Sequence, residues 1–500
     1  LLAMMKHLSL LLLACSLGLS QQAWAQTKLQ TLLSWYDNKA FEVYRNPALA
    51  VGRHDSSHAE VKASFINKNA DQALVAQMGR AFTAERFDAS SYQWLGKHAV
   101  VWGDAGYDRR RTRDIQWNES ADFMQIYPYV TADTLGGKME REAYRFHMGY
   151  ARQLNRWRYG VEAAYESALS YRDIDPRPRN NSLFVDLKVG ASHSLGTRYN
   201  LGAYALWQRY SQEQSIAFMN PLGAITLYQM QGLGMHYYRF AGALKEAYFT
   251  GHTLGAGFTL QPRDKGLLAQ LEVSRRVLQK QMSDLQDAPI NDLTVWTISG
   301  ETAWRGQQHH VSLSATYSNR EGAERLYDNG LTGYKQLAIN YPFLAKTLHM
   351  QLQAAQQWLS AGWEINAVPA VSLLAFQETY ANPQREMQFA NLSFGLQTQV
   401  IRSFRAGIFT AHIAAQRTQN MQKRLVLNDR HAFTEPLSML NDNYNQLTAH
   451  AWTSEIGARY DLFLRTPSIK TLFLQATLRH QNRTTHRHTT LVQLTLGVTL

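Results

Sequence analysis

Residues 491–500 read Leu-Val-Gln-Leu-Thr-Leu-Gly-Val-Thr-Leu. In an extended chain Val492, Leu494, Leu496, Val498 and Leu500 share one face, and Gln493, Thr495, Gly497 and Thr499 share the other. An apolar face backed by a polar one suits a strand between lipid and a watery lumen, which is how the closing strand of an outer-membrane β-barrel is built. A half-buried strand of a soluble sandwich alternates in the same way, so the remainder of the chain has to separate the two.

The same period recurs throughout. Trp157, Tyr159, Val161, Ala163 and Tyr165 alternate with Arg158, Glu162 and Glu166; Leu183, Val185, Leu187 and Val189 alternate with Asp186 and Lys188. Further runs start at Tyr199, Leu254, Leu267, Trp296, Val311, Leu348 and Leu392. A sandwich accommodates seven to nine such strands, whereas roughly 16 without a domain break favour one closed sheet, which leaves no unpaired edge in lipid. Beyond residue 25 no run of about 18 apolar residues occurs, which excludes a helical membrane protein. The 25 Tyr, 20 Phe and 12 Trp supply the rings that barrels place at both interfaces. The expectation is an all-β, transmembrane antiparallel β-barrel of roughly 14–18 strands, multi-pass in a bacterial outer membrane.

The start of the chain carries Lys6 and His7, an apolar run from Leu8 to Leu19, and Ala23-Trp24-Ala25, together a signal peptide over residues 1–25. Leu12-Leu13-Ala14-Cys15 offers a competing lipoprotein cut. With the first cut the mature chain has no cysteine, and disulfides and thiolate metal sites are excluded. Residues 26–58, with Leu29, Leu32, Leu33 and Trp35 spaced for a short helix, form an N-terminal periplasmic or lumenal segment, and residues 59–500 form the barrel. The net charge of +12 fits nucleic acid, an anionic lipid surface or an anion-selective lumen, and secretion disfavours the first.

Counting back from the terminus sets an orientation. Leu472–Leu478 runs outward, Arg479–Thr489 is an extracellular loop and Thr466–Ser468 a periplasmic turn; Thr448–Leu464 runs inward and Phe404–Ala415 outward. Arg417–Asn445 then lies outside and a turn near Arg402 inside, in keeping with short periplasmic turns and long outer loops. A turn at Arg305–Gln308 has the wrong parity unless Lys335–Trp358 is one long bent strand or a strand is missing from the count.

Asn46-Pro47-Ala48-Leu49 resembles the opening of fatty-acid-transporter-like barrels. With Val101-Trp102-Gly103, Ile115-Gln116-Trp117-Asn118-Glu119, Tyr127-Pro128-Tyr129-Val130-Thr131-Ala132-Asp133, Asp175-Pro176-Arg177-Pro178 and Tyr238-Arg239-Phe240, the chain resembles a Bacteroidetes outer-membrane β-barrel family of unknown function. The resemblance implies location and membership, with no assigned reaction, ligand or cofactor. TonB-dependent receptors, with 22 strands and a plug in front of them, match less well.

Asp108–Glu140 reads as a functional loop: Arg109, Arg110 and Arg111 lead to Trp117, Glu119, Tyr129 and Asp133, mixing charge with aromatic rings. A structural loop folded into the barrel with self-paired charges is the competing reading. Glu162, Glu166, Asp186 and Lys188 are the lumen candidates on strands, the glutamates pairing with Arg158 or Lys188. Charges around Pro176 and Pro178, Arg172 among them, read as solvated. His480, His486 and His488 suggest a metal, but Arg479, Arg483 and Arg487 repel a cation. His193 and Ser194 are adjacent, point to opposite faces and form no dyad, so no catalytic residue, metal or cofactor is assigned. The function expected is passage or capture of a solute at the cell surface, with a non-conducting accessory barrel of an uptake or secretion complex as the alternative and an outer-membrane hydrolase behind both. The partners expected are outer-membrane lipid, lipopolysaccharide and a surface lipoprotein or TonB-linked receptor.

Overall fold

The computed structural model describes residues 29–34, 45–220, 225–242, 244–328, 334–428, 435–464, 466 and 468–500. The leader, both possible cleavage sites and Trp35 lie outside them. In chain order the strands begin with β1 (His58–Ala70), β2 (Ala81–Leu95), β3 (Ala99–Ile115), β4 (Thr131–Ala132), β5 (Gly137–Leu154), β6 (Trp157–Tyr171) and β7 (Arg177–Leu195). They continue as β8 (Tyr199–Ala217), β9 (Tyr228–Gly232), β10 (Met235–His236), β11 (Glu246–Pro262), β12 (Gly266–Met282), β13 (Ala288–Arg305) and β14 (His309–Tyr327). The remainder are β15 (Gln336–Ser360), β16 (Trp363–Tyr380), β17 (Arg385–Phe404), β18 (Gly407–Leu427), β19 (Ala451–Phe463), β20 (Thr471–Arg483) and β21 (Arg487–Thr499).

Eighteen of these form one antiparallel sheet, and β1 closes it by pairing with both β2 and β21. The other three, β4, β9 and β10, make a small sheet of their own. The alternation read in the sequence is the alternation of the wall: Trp157, Tyr159, Val161 and Tyr165 of β6 and Leu494 and Leu496 of β21 are exposed on the outside. The chain is an outer-membrane β-barrel.

Strands of 13 to 25 residues exceed the 9–11 that cross a bilayer. On β14 the outward apolar series Val311, Leu313, Tyr317 gives way to Asn319 and Glu321, while the ladder to β15 continues as far as Tyr327. The barrel therefore stands above the outer leaflet. Its eight short connections, from 96–98 to 464–470, share the end that holds the terminal strand's Thr499; the segments 71–80, 116–136, 218–245 and 428–450 share the other. By the barrel rule the first end is periplasmic.

Each hairpin used to orient the chain falls on its expected side. The loops are shorter than the polar sequence indicated: β20 continues to Arg483 and β21 resumes at Arg487, and β18 extends to Leu427. Outward side chains on projecting strands meet water, so polar composition there does not end a strand. The parity conflict disappears because β15 is a single strand of 25 residues, with a bulge opposite Gly322 and Glu324.

Candidate functional site

Two outer loops fold back into the barrel instead of arching over it. Residues 116–136 contribute the helical turn Phe123–Ile126 and β4, and residues 218–245 contribute β9 and β10. Together with the helix Glu435–Leu447 they fill the projecting outer half as a plug. Its apolar core joins Ile126, Tyr129, Leu233 and Met439 to the inward wall residues Phe249, Leu278, Ile290 and Phe343.

The wall bolts the plug through polar groups, most of them buried. Lys280 Nζ donates to Gln229 Oε1 on β9 at 2.7 Å, and Arg385 Nη1 donates to the Leu233 carbonyl at 2.6 Å. Arg320 Nη2 donates to the Met124 carbonyl at 2.6 Å, and the Tyr127 hydroxyl donates to Glu378. A buried triad of charged groups adds to these: Arg172 Nη1 lies 2.9 Å from Glu119 Oε1 and 3.9 Å from Asp133 Oδ2, all three nearly inaccessible. Asn180 and Gln214 donate to the Glu119 carbonyl at 3.0 and 2.9 Å. Burial, with the Asp133 carboxylate alongside, holds Glu119 well above the ordinary carboxylate range.

The periplasmic end is occupied by the N-terminal segment. The helical turn 29–33 sets Leu29 against Ile401 and Ile408, and Ser34 hydrogen-bonds Glu364. Arg45 pairs with Glu272 at 3.0 Å. Asn46 caps its own turn through Ala48 N and donates to the carbonyls of Ala191 and Ala203, both at 3.3 Å. Gly160 and Gly190 form the cradle, since a Cβ there would come within 2.3 Å of Pro47 C and 2.1 Å of Asn46 Oδ1. The Asn-Pro-Ala stretch is thus a docking element for the lumen wall.

Between plug and N-terminal segment the lumen has two unlike walls. On β2–β8 the inward side chains form a charge ladder: Arg86–Asp108 at 3.2 Å, Asp88–Arg145 at 3.0 Å, Asp104–His147 at 2.9 Å, His147–Glu162 at 3.6 Å and Glu162–Lys188 at 3.0 Å. Asp186 accepts from Gln208 at 2.7 Å, and Arg141 pairs with Glu166. Asp88 and Arg145 meet across Gly106, where a Cβ would lie 2.9 Å from each. On β15–β20 a cavity of about 190 Å³ is lined mainly by neutral polar groups, Gln351, Gln353, Ser372, Gln397, Gln416 and Thr453, with the paired Glu455 and Arg479 at one margin.

The residues singled out in the sequence therefore scatter over three environments. Arg109 and Arg111 lie in strand β3, outside the loop, and face outward, pairing with Glu140 at 3.4 Å each. Arg110 faces inward over the Phe82 ring, 4.7 Å from its centroid. Trp117, Glu119, Tyr129 and Asp133 meet inside the plug, so the structural reading of that loop describes their packing. Glu162 and Lys188 pair as expected; Glu166 takes Arg141, while Arg158 donates to Gln153. Arg172 is the clear correction: it is buried, because Glu119 and Asp133 of the plug and the Lys138 carbonyl surround its guanidinium. Lys280, Arg385 and the four lumenal glutamines escaped notice. Lys280 had one usable signal, a place on the inward face of its strand between the apolar Leu278 and Met282.

Residues 47–500 match DUF6850, a family of unknown function. The chain belongs to that family. No curated protein matches it. Among solved structures it is similar to the ferric preacinetobactin receptor BauA of Acinetobacter baumannii, at 9% identity and TM-score 0.37, covering 89% of this chain and 80% of that one. It is also similar to the ferric-catecholate import receptor Fiu of E. coli K12, at 7% identity and TM-score 0.39 over 89% and 82% of the two chains. OccK9 of Pseudomonas aeruginosa gives 9% identity and TM-score 0.33 over 89% and 98%.

Proposed function

We propose that this barrel captures a polar solute at the bacterial surface and passes it through the lumen when the loop plug shifts. The observation that carries the reading is the chamber: a polar cavity at membrane depth, below a plug fastened to the wall by side-chain hydrogen bonds and ion pairs. A barrel serving only as a scaffold has no need of such a chamber. In the ladder on β2–β8 acids and bases neutralise one another, so the net charge of +12 does not create a cationic pore there. We further infer contact with lipid and lipopolysaccharide through the outward Arg109, Arg111 and Glu140 cluster, and a surface lipoprotein or TonB-linked receptor as the partner that would move the plug.

Planar-bilayer conductance tests this reading. Wild-type protein is expected to carry no steady current, and Arg172→Met, which unfastens the plug, is expected to open one with weak ion selectivity. Silence from both, with heat-modifiable folded protein, would favour the accessory barrel, for which the tightly cored plug is the supporting observation.

A further inference from the structure

Gln351 and Gln353 of β15, Gln397 of β17 and Gln416 of β18 point into one cavity of about 190 Å³ and make no side-chain hydrogen bond to any described residue. Ser372 and Thr453 add hydroxyls, and Ala370 and Gly395 keep the space between them open. Charge is confined to one margin. There Arg479 donates to Glu455 at 2.7 Å, and His412 hydrogen-bonds the same carboxylate at 3.1 Å.

Each primary amide offers two donors and an acceptor oxygen with two lone pairs, and regular strands hold four such groups in fixed register. A carboxylate or phosphate ligand calls for arginine or lysine, and the arginine present is already paired. A metal ion calls for convergent carboxylates, whereas the cavity has one, engaged twice. An apolar ligand would strand all four amides without partners. A peptide brings charged termini, for which the one arginine and one carboxylate present are already paired with each other, and side chains that need apolar pockets, for which this wall provides little beyond Val368, Leu396, alanines and a glycine. Vicinal hydroxyls, each a donor and an acceptor at close spacing, match the comb of amides.

We propose that the β15–β20 wall is a binding site for a neutral, hydroxyl-rich solute, a short oligosaccharide. The proposal rests on the reading above that solute enters the chamber, and it fixes the substrate class.

Isothermal titration of the full-length barrel in detergent is the test, with maltotriose and cellotriose as neutral probes and trialanine and citrate as peptide and anion controls. A trisaccharide is expected to bind, and Gln351→Leu/Gln397→Leu, folded by heat modifiability, is expected to lose affinity by roughly tenfold or more, as two missing hydrogen bonds imply. No binding of either trisaccharide, preferential binding of trialanine or citrate, or unchanged affinity in the double variant would each overturn the assignment. Conductance keeps the two claims apart: binding without current in the plug-released variant removes passage and leaves the sugar site. Current without sugar binding does the reverse.

Discussion

The outer and inner halves of this lumen are built on opposite principles. In the outer half, buried charges such as Arg172, Lys280 and Arg385 reach across to hold loops, and each is nearly inaccessible to water. In the inner half, Glu162 and Lys188 keep 19% of their side-chain surface exposed, and the glutamines of β15–β18 face open space. A buried charge that loses its partner has no solvent to fall back on, whereas a lumenal one does. The plug should therefore be costly to disturb, and the chamber cheap to alter.

The triad offers the largest effect. Arg172→Met removes the buried cation that the Glu119 and Asp133 carboxyls share and is expected to cost about 3–5 kcal/mol of plug stability. Limited proteolysis should then cut within 116–136 while the heat-modifiable barrel persists; an uncut loop would show that the apolar core alone holds the plug. Arg385→Met comes next, since it strands the Leu233 and Asn428 carbonyls that accept from the guanidinium at 2.6 and 3.1 Å. About 1–3 kcal/mol is expected, read as faster hydrogen exchange in 228–236.

Acidity discriminates between the halves within one molecule. Because the Glu119 carboxyl is raised in the folded protein, its protonated form is the one the plug accommodates. Below the ordinary carboxylate range the folded and unfolded chains both hold the proton, so stability is full there and falls as pH rises toward the raised value. Channel opening should grow on the alkaline side, and Glu119→Gln should abolish that dependence. Opening that grows on acidification instead would place the controlling group elsewhere.

How much of this was legible in the sequence follows the same division. Alternation along β6, β7 and β21 showed the barrel wall, because lipid and lumen enforce a strict two-residue period. The plug carries no such period: Trp117, Glu119 and Tyr129 stood out as a cluster, yet nothing local distinguishes a loop exposed above a barrel from one tucked inside it. Arg172 looked solvated beside its prolines because its partners lie 53 and 39 positions earlier in the chain, at Glu119 and Asp133. The glutamines were invisible for a different reason, since a polar residue at every second position is what any lumen-facing strand displays.

The chamber supplies the smallest stability effects and the sharpest contrast. Glu162→Gln leaves Lys188 and His147 able to draw on lumenal water, so at most about 1 kcal/mol is expected, with a visible change in ion selectivity once the plug is released. Gln397→Leu should change melting by even less, because the amide makes no bond that folding requires and substitutions away from such contacts stay within about 0.5 kcal/mol. If Gln397→Leu were instead as damaging as Arg172→Met, the amide would be a structural tie, and the inner half would be fastened like the outer one. A neutral result in melting, set beside a loss in trisaccharide titration, is the combination that only an open, ligand-facing wall produces.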